Sequence, residues 1–140
     1  MLGDATMNKR EMIVSILEKM GYNPEIDSDG DIFFYYQIKT IYVLIGDEKD
    51  SFVAIMLPQF HDIEDGEESL ALAICNKMTR EIKMAKVFVD QAFKSVSATC
   101  EFYYANEESL EKNLHHSLQV LGVVRSAFRN NEEELSDSEE

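Results

Sequence analysis

Between Asp31 and Leu57 the chain offers three successive short runs that are apolar on both alternating faces. In the first, Ile32, Phe34 and Tyr36 point one way, and Phe33 and Tyr35 the other. In the second, Ile41, Val43 and Ile45 oppose Tyr42 and Leu44. In the third, Val53, Ile55 and Leu57 oppose Phe52, Ala54 and Met56. Successive strand side chains point to opposite faces, so a sheet built from these runs needs cover on both sides. Helices of the same chain can supply it, or a second polypeptide can cover part of one face. Tyrosine suits the second case, because it joins an apolar ring to a polar tip.

The remaining periodicities place the other elements. Met12, Ile13, Ile16, Leu17 and Met20 share one helical face over about 8–20, and Gly21 and Pro24 stop the helix. Lys9, Arg10, Glu11, Glu18 and Lys19 form its wet side. A short strand is expected near Glu25 to Asp27, and strands over about 31–37, 40–45 and 51–57, the last ended by Pro58. Turn-forming Asp27-Ser28-Asp29-Gly30 and Gly46 to Asp50 separate them, connections short enough only for antiparallel neighbours. Gln59 to Gly66 reads as a connector. A helix over about 67–82 follows, with Leu70, Ile74, Met78 and Ile82 as its stripe. Two alternating strands come next, and in the second Ser95, Ser97, Thr99 and Glu101 form a polar face. Leu110, Leu114, Leu118, Leu121, Val124 and Phe128 define a last helix from Asn106 to about Phe128 or Asn130. The fold class is α+β, in the order α-β-β-β-α-β-β-α, with an antiparallel five-stranded sheet and three helices. One domain over 1–130 is followed by an acidic tail, 131–140, whose charge and scarcity of apolar residues predict disorder.

The chain has 27 acidic and 13 basic residues, a formal net charge of -14. That field repels phosphate backbones and anionic lipid, which argues against nucleic-acid or membrane partners. With no apolar run long enough to span a bilayer and no signal-peptide core in Met1 to Lys9, the expected compartment is the cytoplasm. Cys75 and Cys100 are too few and too far apart for a disulfide framework and read as buried thiols.

No catalytic signature is legible. Asp27 to Asp31 has the look of a calcium loop, but Gly30 is fourth rather than sixth and Ile38 holds the twelfth position, so a hairpin turn is the better reading. His115 and His116 lie about 100° apart on a helix and do not chelate one ion. No glycine-rich phosphate loop is present, and no cofactor is expected. The densest group of possible ligands is His61 and Asp62 with Glu64, Asp65, Glu67 and Glu68. It supports an alternative reading, a small-molecule or metal-binding enzyme.

The order of elements resembles the type III secretion chaperone-like fold. Within it the likeness is to the YbjN-like group of bacterial sensory-transduction regulators. It rests on Ile16-Leu17-Glu18-Lys19-Met20-Gly21-Tyr22, Ile32-Phe33-Phe34-Tyr35-Tyr36, Tyr42-Val43-Leu44-Ile45 and Phe52-Val53-Ala54-Ile55-Met56-Leu57-Pro58. It continues through Ala73 to Thr79 and Ala85 to Asp90, and covers about Lys9 to Phe128. Class I secretion chaperones are acidic homodimers that pair through the second helix and hold an unfolded effector segment. The resemblance therefore implies a non-enzymatic protein-binding module, a homodimer, whose partner is a client protein or a second copy. It implies Leu72, Cys75 and Thr79 on a dimer seam, and strand edges that accept a client strand. The expected protein-binding residues are these three together with Phe34, Tyr36, Tyr42 and Leu44 of the aromatic strands.

Overall fold

Asn8 opens the first helix with a reciprocal cap. Its side-chain oxygen accepts from Glu11 N at 2.8 Å, and the Glu11 carboxylate accepts from Asn8 N at 3.3 Å. The structure, a computed structural model, describes residues 7–138. The first six residues, where a signal peptide was sought, and the last two of the acidic tail lie outside the described residues. Helix α1 (Lys9–Lys19) buries Ile13, Ile16 and Leu17. The chain reverses at Gly21, whose φ of 98° is left-handed, with Tyr22 N donating to Leu17 O.

Strands β1 (Glu25–Ile26), β2 (Ile32–Tyr36), β3 (Lys39–Leu44) and β4 (Phe52–Asp62) form the expected meander. In the first turn Asp27 Oδ1 accepts from Asp29 N and Asp31 N, so this carboxylate holds the hairpin together from inside. Helix α2 (Glu68–Glu81), β5 (Ala85–Val89), β6 (Ser95–Tyr103) and α3 (Glu107–Ser138) complete the chain. The sheet is antiparallel throughout, in the order β1-β2-β3-β4-β6-β5. It has six strands rather than five, because the two-residue β1 pairs with Ile32 and Phe33.

Three further expectations change. Strand β4 does not stop at Pro58. It passes through a bulge in which three residues, Pro58 to Phe60, face Ser97, and pairing resumes at His61↔Val96. Gln59, at φ 48°, donates its backbone N–H to Ser97 Oγ at 2.8 Å, so the bulge leaves no orphan there. Helix α3 continues through the segment expected to be a disordered tail, as far as Ser138. Its last turns dock: Asn131 accepts from Lys77, Glu134 pairs with Lys77 at 3.5 Å, and Leu135 packs against the core. Lys9, read as part of a wet face, is 2% exposed. Its ammonium donates to Ile45 O, Asp50 Oδ1 and Phe52 O at 2.7–2.8 Å, tying α1 to the β3–β4 connection.

Cross-strand partners share a face, so the register sorts every side chain. Ile32 and Phe34; Ile41, Val43 and Ile45; Val53, Ile55 and Leu57; and Val96, Ala98, Cys100 and Phe102 form one face, and all are buried. Helices α1, α2 and α3 pack on this side, with Leu110, Leu114, Leu118, Leu121, Val124 and Phe128 of α3 in the same core. The described residues thus form two layers, three helices over one face of a six-stranded sheet.

Candidate protein-binding surface

Among the described residues no helix packs on the opposite face. Phe33 and Tyr35 of β2, Tyr42 and Leu44 of β3, and Phe52 and Met56 of β4 lie on it. None of these six is fully buried, and Tyr35 is 68% exposed. Tyr103 of β6 adds a ring that is 71% exposed. Rings pair across strands, Phe33 with Tyr42 at 5.9 Å and Phe52 with Tyr103 at 5.2 Å between centroids. Toward β5 the same face becomes polar, with Thr99, Ser97 and a Lys86–Glu101 ion pair. Ser95, Ser97 and Thr99 are buried rather than solvated, because β6 is an interior strand and its short side chains sit between longer neighbours such as Met56, Lys86 and Phe88.

The two sheet edges differ. At β5 the Thr79 hydroxyl accepts from Val87 N at 2.9 Å and donates to Val87 O at 3.1 Å. Helix α2 thereby satisfies the N–H and C=O of Val87 on that edge. At the other end β1 pairs only with Ile32 and Phe33, so among the described residues Phe34 to Tyr36 have no strand partner on that side.

The expected binding residues separate accordingly. Tyr42 and Leu44 come together on the open face. Phe34 does not, being 1% exposed and set 5.1 Å from the Tyr22 ring on the covered face. Tyr36 lies on that face too, against Tyr22 and close to Gly122 of α3, where an added Cβ would sit 3.2 Å from its ring. Leu72 is 46% exposed on the outer side of α2. Cys75 points into the core, which removes it and Phe34 as contacts for a docked chain. Thr79 is engaged with β5. The sequence reading missed Phe33, Tyr35, Phe52, Met56 and Tyr103, although they share the alternation of Tyr42 and Leu44. That alternation was the available signal.

Among the described residues the side chains of the alternative site are spread apart. His61 stacks on Phe128 at 4.5 Å and its Nε2 lies 3.4 Å from a Glu132 carboxylate oxygen. Asp62, Glu64, Asp65 and Glu67 are exposed, and Glu68 accepts from Gly66 N. Among the described residues no three His, Cys, Asp or Glu side chains are grouped to hold a metal ion. Burial pushes both thiols up to about 11, which keeps Cys75 and Cys100 protonated and poorly nucleophilic.

A helical layer over one face of an antiparallel sheet, with the other face left apolar, is the geometry that comparison with known proteins has to explain. The family of "T3SS (YopN, CesT) and YbjN peptide-binding chaperone 1" matches residues 8–131. The chain belongs to this family. Its fold is also that of the crystal structure of YbjN from E. coli, with a TM-score of 0.61 at 9% identity, covering 84% of this chain and 87% of that one. A second crystal structure, of an uncharacterized protein from Methanothermobacter thermautotrophicus, has a TM-score of 0.52 at 14% identity over 85% of this chain and 98% of that one. Comparison with curated proteins finds no match. The membership makes this a chaperone-like, protein-binding α+β module. No helix among the described residues is long and apolar enough to cross a membrane.

Proposed function

We propose that the chain is a non-enzymatic module that holds an extended segment of a client protein on the open sheet face, and that it acts as a cytoplasmic, chaperone-like or regulatory homodimer. The observation that carries this reading is the uncovered apolar half of the sheet, from Phe33 and Tyr35 across Tyr42 and Leu44 to Phe52 and Met56. Fully covering one such side chain contributes about 1.5–3 kcal/mol, so part-covering several is enough for micromolar retention of a flexible segment. Rings with polar tips tolerate water when the client is absent. For the homodimer, the outer side of α2 offers Leu72 with exposed Ala73 beside it, two turns before Thr79.

Selection of displayed random peptides on the purified chain tests the client reading. Enrichment of peptides with alternating apolar residues is expected, and it should vanish on a Tyr42→Lys/Met56→Lys variant. Equal enrichment on both proteins would show that the open face is not the binding surface. For the dimer, light scattering should give twice the chain mass, reduced to the monomer by Leu72→Lys. A monomer at all concentrations would remove the dimer and leave the client reading intact.

A further inference from the structure

Where β3 and β4 part company, the sheet opens into a cavity. Their pairing runs from Leu44↔Ala54 only to Tyr42↔Met56, so Lys39 to Ile41 have no partner in β4. Beyond that point the Pro58–Phe60 bulge carries β4 away. The space left is about 390 Å³, with Lys39, Thr40, Gln59, His61, Asp62 and Arg125 of α3 among its walls. Two backbone departures flank it. Gln37 and Ile38, at φ 51° and 61°, form the tight turn that delivers Lys39, and Gln59 sits at φ 48°. An Ile in the left-handed region is costly, and Ile38 is 98% exposed, so core packing does not explain the turn.

The charge of this cavity is opposite to that of the molecule. In a chain with 27 acids and 13 bases, its walls hold Lys39, Arg125 and one carboxylate, Asp62. The wider cavity of about 750 Å³ between the ends of α1 and α3 shows the usual balance, with Glu107, Glu108 and Glu111 against Lys19 and Lys112. Lys19 is already paired with Glu111 there, whereas neither Lys39 nor Arg125 makes an ion pair among the described residues. His61 is taken up by Glu132 and Phe128. The cavity is a gap between the two faces: Lys39, the partner of Tyr36, shares the helix-side alternation and Arg125 comes from α3, while Thr40 belongs to the open side. Thr40, in its wall, begins the row Thr40, Tyr42, Leu44 on that face, at about 7 Å per two residues.

We propose that this cavity receives a carboxylate of the bound peptide, held between Lys39 and Arg125, while the apolar residues next to it lie over Tyr42 and Leu44. This rests on the peptide-binding reading and gives it a polarity. Apolar contact along the sheet is indifferent to sequence register, and a charge-assisted anchor at one end fixes it. The carboxylate is either the peptide's C-terminus or an acidic side chain, since guanidinium and ammonium groups take both.

Fluorescence anisotropy with the full chain and three labelled ten-residue peptides of alternating Leu and Ser separates the cases. One ends in a free carboxylate, one in a carboxamide, and one in Asp followed by a carboxamide. The free acid is expected to bind roughly tenfold more tightly than the plain carboxamide, the gain of one charge-assisted contact. Tight binding of the Asp-carboxamide peptide as well assigns the cavity to carboxylates of either source, and weak binding assigns it to the C-terminus. In Lys39→Gln/Arg125→Gln the preference should disappear while the plain carboxamide binds as before. Arg125 is exposed and Lys39 half-buried, and circular dichroism checks that the variant folds. Equal binding of all three peptides to the unaltered protein, or a preference that survives the double substitution, overturns the proposal and leaves the open-face reading standing. Binding of none of the three overturns both.

Discussion

Over β2, β3 and β4 the two faces of the sheet come from the same strands and differ in kind rather than in hydrophobicity. The covered face is chiefly β-branched and aliphatic, with Ile32, Ile41, Val43, Ile45, Val53 and Ile55 meeting the leucines of α3. The open face is aromatic and thioether, with Phe33, Tyr35, Tyr42, Phe52, Met56 and Tyr103. Stiff branched side chains suit one fixed partner at crystal-like density. Rings with polar tips and flexible methionines suit a partner that comes and goes. The sharpest test compares neighbours on β4. Ile55→Ala should cost about 3–4 kcal/mol in urea unfolding, because a fully buried isoleucine leaves a cavity beneath α3. Met56→Ala, one residue along, should cost about 1 kcal/mol or less, having no layer to leave a void against. Equal costs would mean that the second face is covered in solution.

Lys9 supplies the next largest effect, because the covered face is closed at one corner by a charge. Lys9→Met keeps the stem but removes the ammonium donor from Ile45 O, Phe52 O and Asp50, the last of which keeps Phe52 N. The expected loss is about 2–3 kcal/mol, the range for hydrogen bonds to a buried charged group. Peptide binding at the open face should be unaffected at temperatures where the variant is folded. A variant as stable as the parent would mean that water replaces the ammonium without cost.

The C-terminal turns of α3 rank third. Ending the chain after Asn131 removes Leu135 and the pairs Glu132–His61 and Glu134–Lys77. Exposed pairs contribute little and Leu135 is only partly buried, so about 1 kcal/mol is expected, a fall in Tm of about 3–5 °C. No change at all would place these turns outside the cooperative unit.

This ranking also marks what the sequence could tell. Period-two and period-3.6 patterns located the strands and helices because each element's own residues set them, and α3 was clear as far as Phe128. The errors lie where a distant residue decides. Pro58 looked like a strand end, because the Ser97 hydroxyl that accepts from Gln59 N is 38 positions away. The acidic tail looked unfoldable by composition, yet Lys77 of α2 and the core patch under Leu135 receive it. Lys9 looked like a surface lysine, since its carbonyl partners lie beyond two hairpins. For the candidate surface, both alternations of the strands were visible, but which one met the helices was not. Phe34 was therefore grouped with Tyr42, although they belong to opposite faces. The difference between branched and aromatic sets was already present in the residues, and it is the signal that would have separated them.

The smallest effect concerns Asp50, the exposed end of the Lys9 cluster. Its bond from the Lys9 ammonium, and then the one from Phe52 N, hold its carboxyl below the usual carboxylate range. A carboxyl whose folded value is depressed adds stability that is present above its unfolded value of 3.8 and is lost as pH falls through the folded value. The urea midpoint should therefore be insensitive to this residue between pH 7 and 5 and decline with it below about pH 4. Asp50→Asn should remove that part of the decline and cost little near neutrality, because the carboxylate is half in solvent and screened by salt. The two backbone carbonyls then account for most of what Lys9→Met loses. If Asp50→Asn at pH 7 proved as damaging as Lys9→Met, the ion pair rather than the carbonyls would be what fixes α1 to the sheet, and the corner of the covered face would depend on salt.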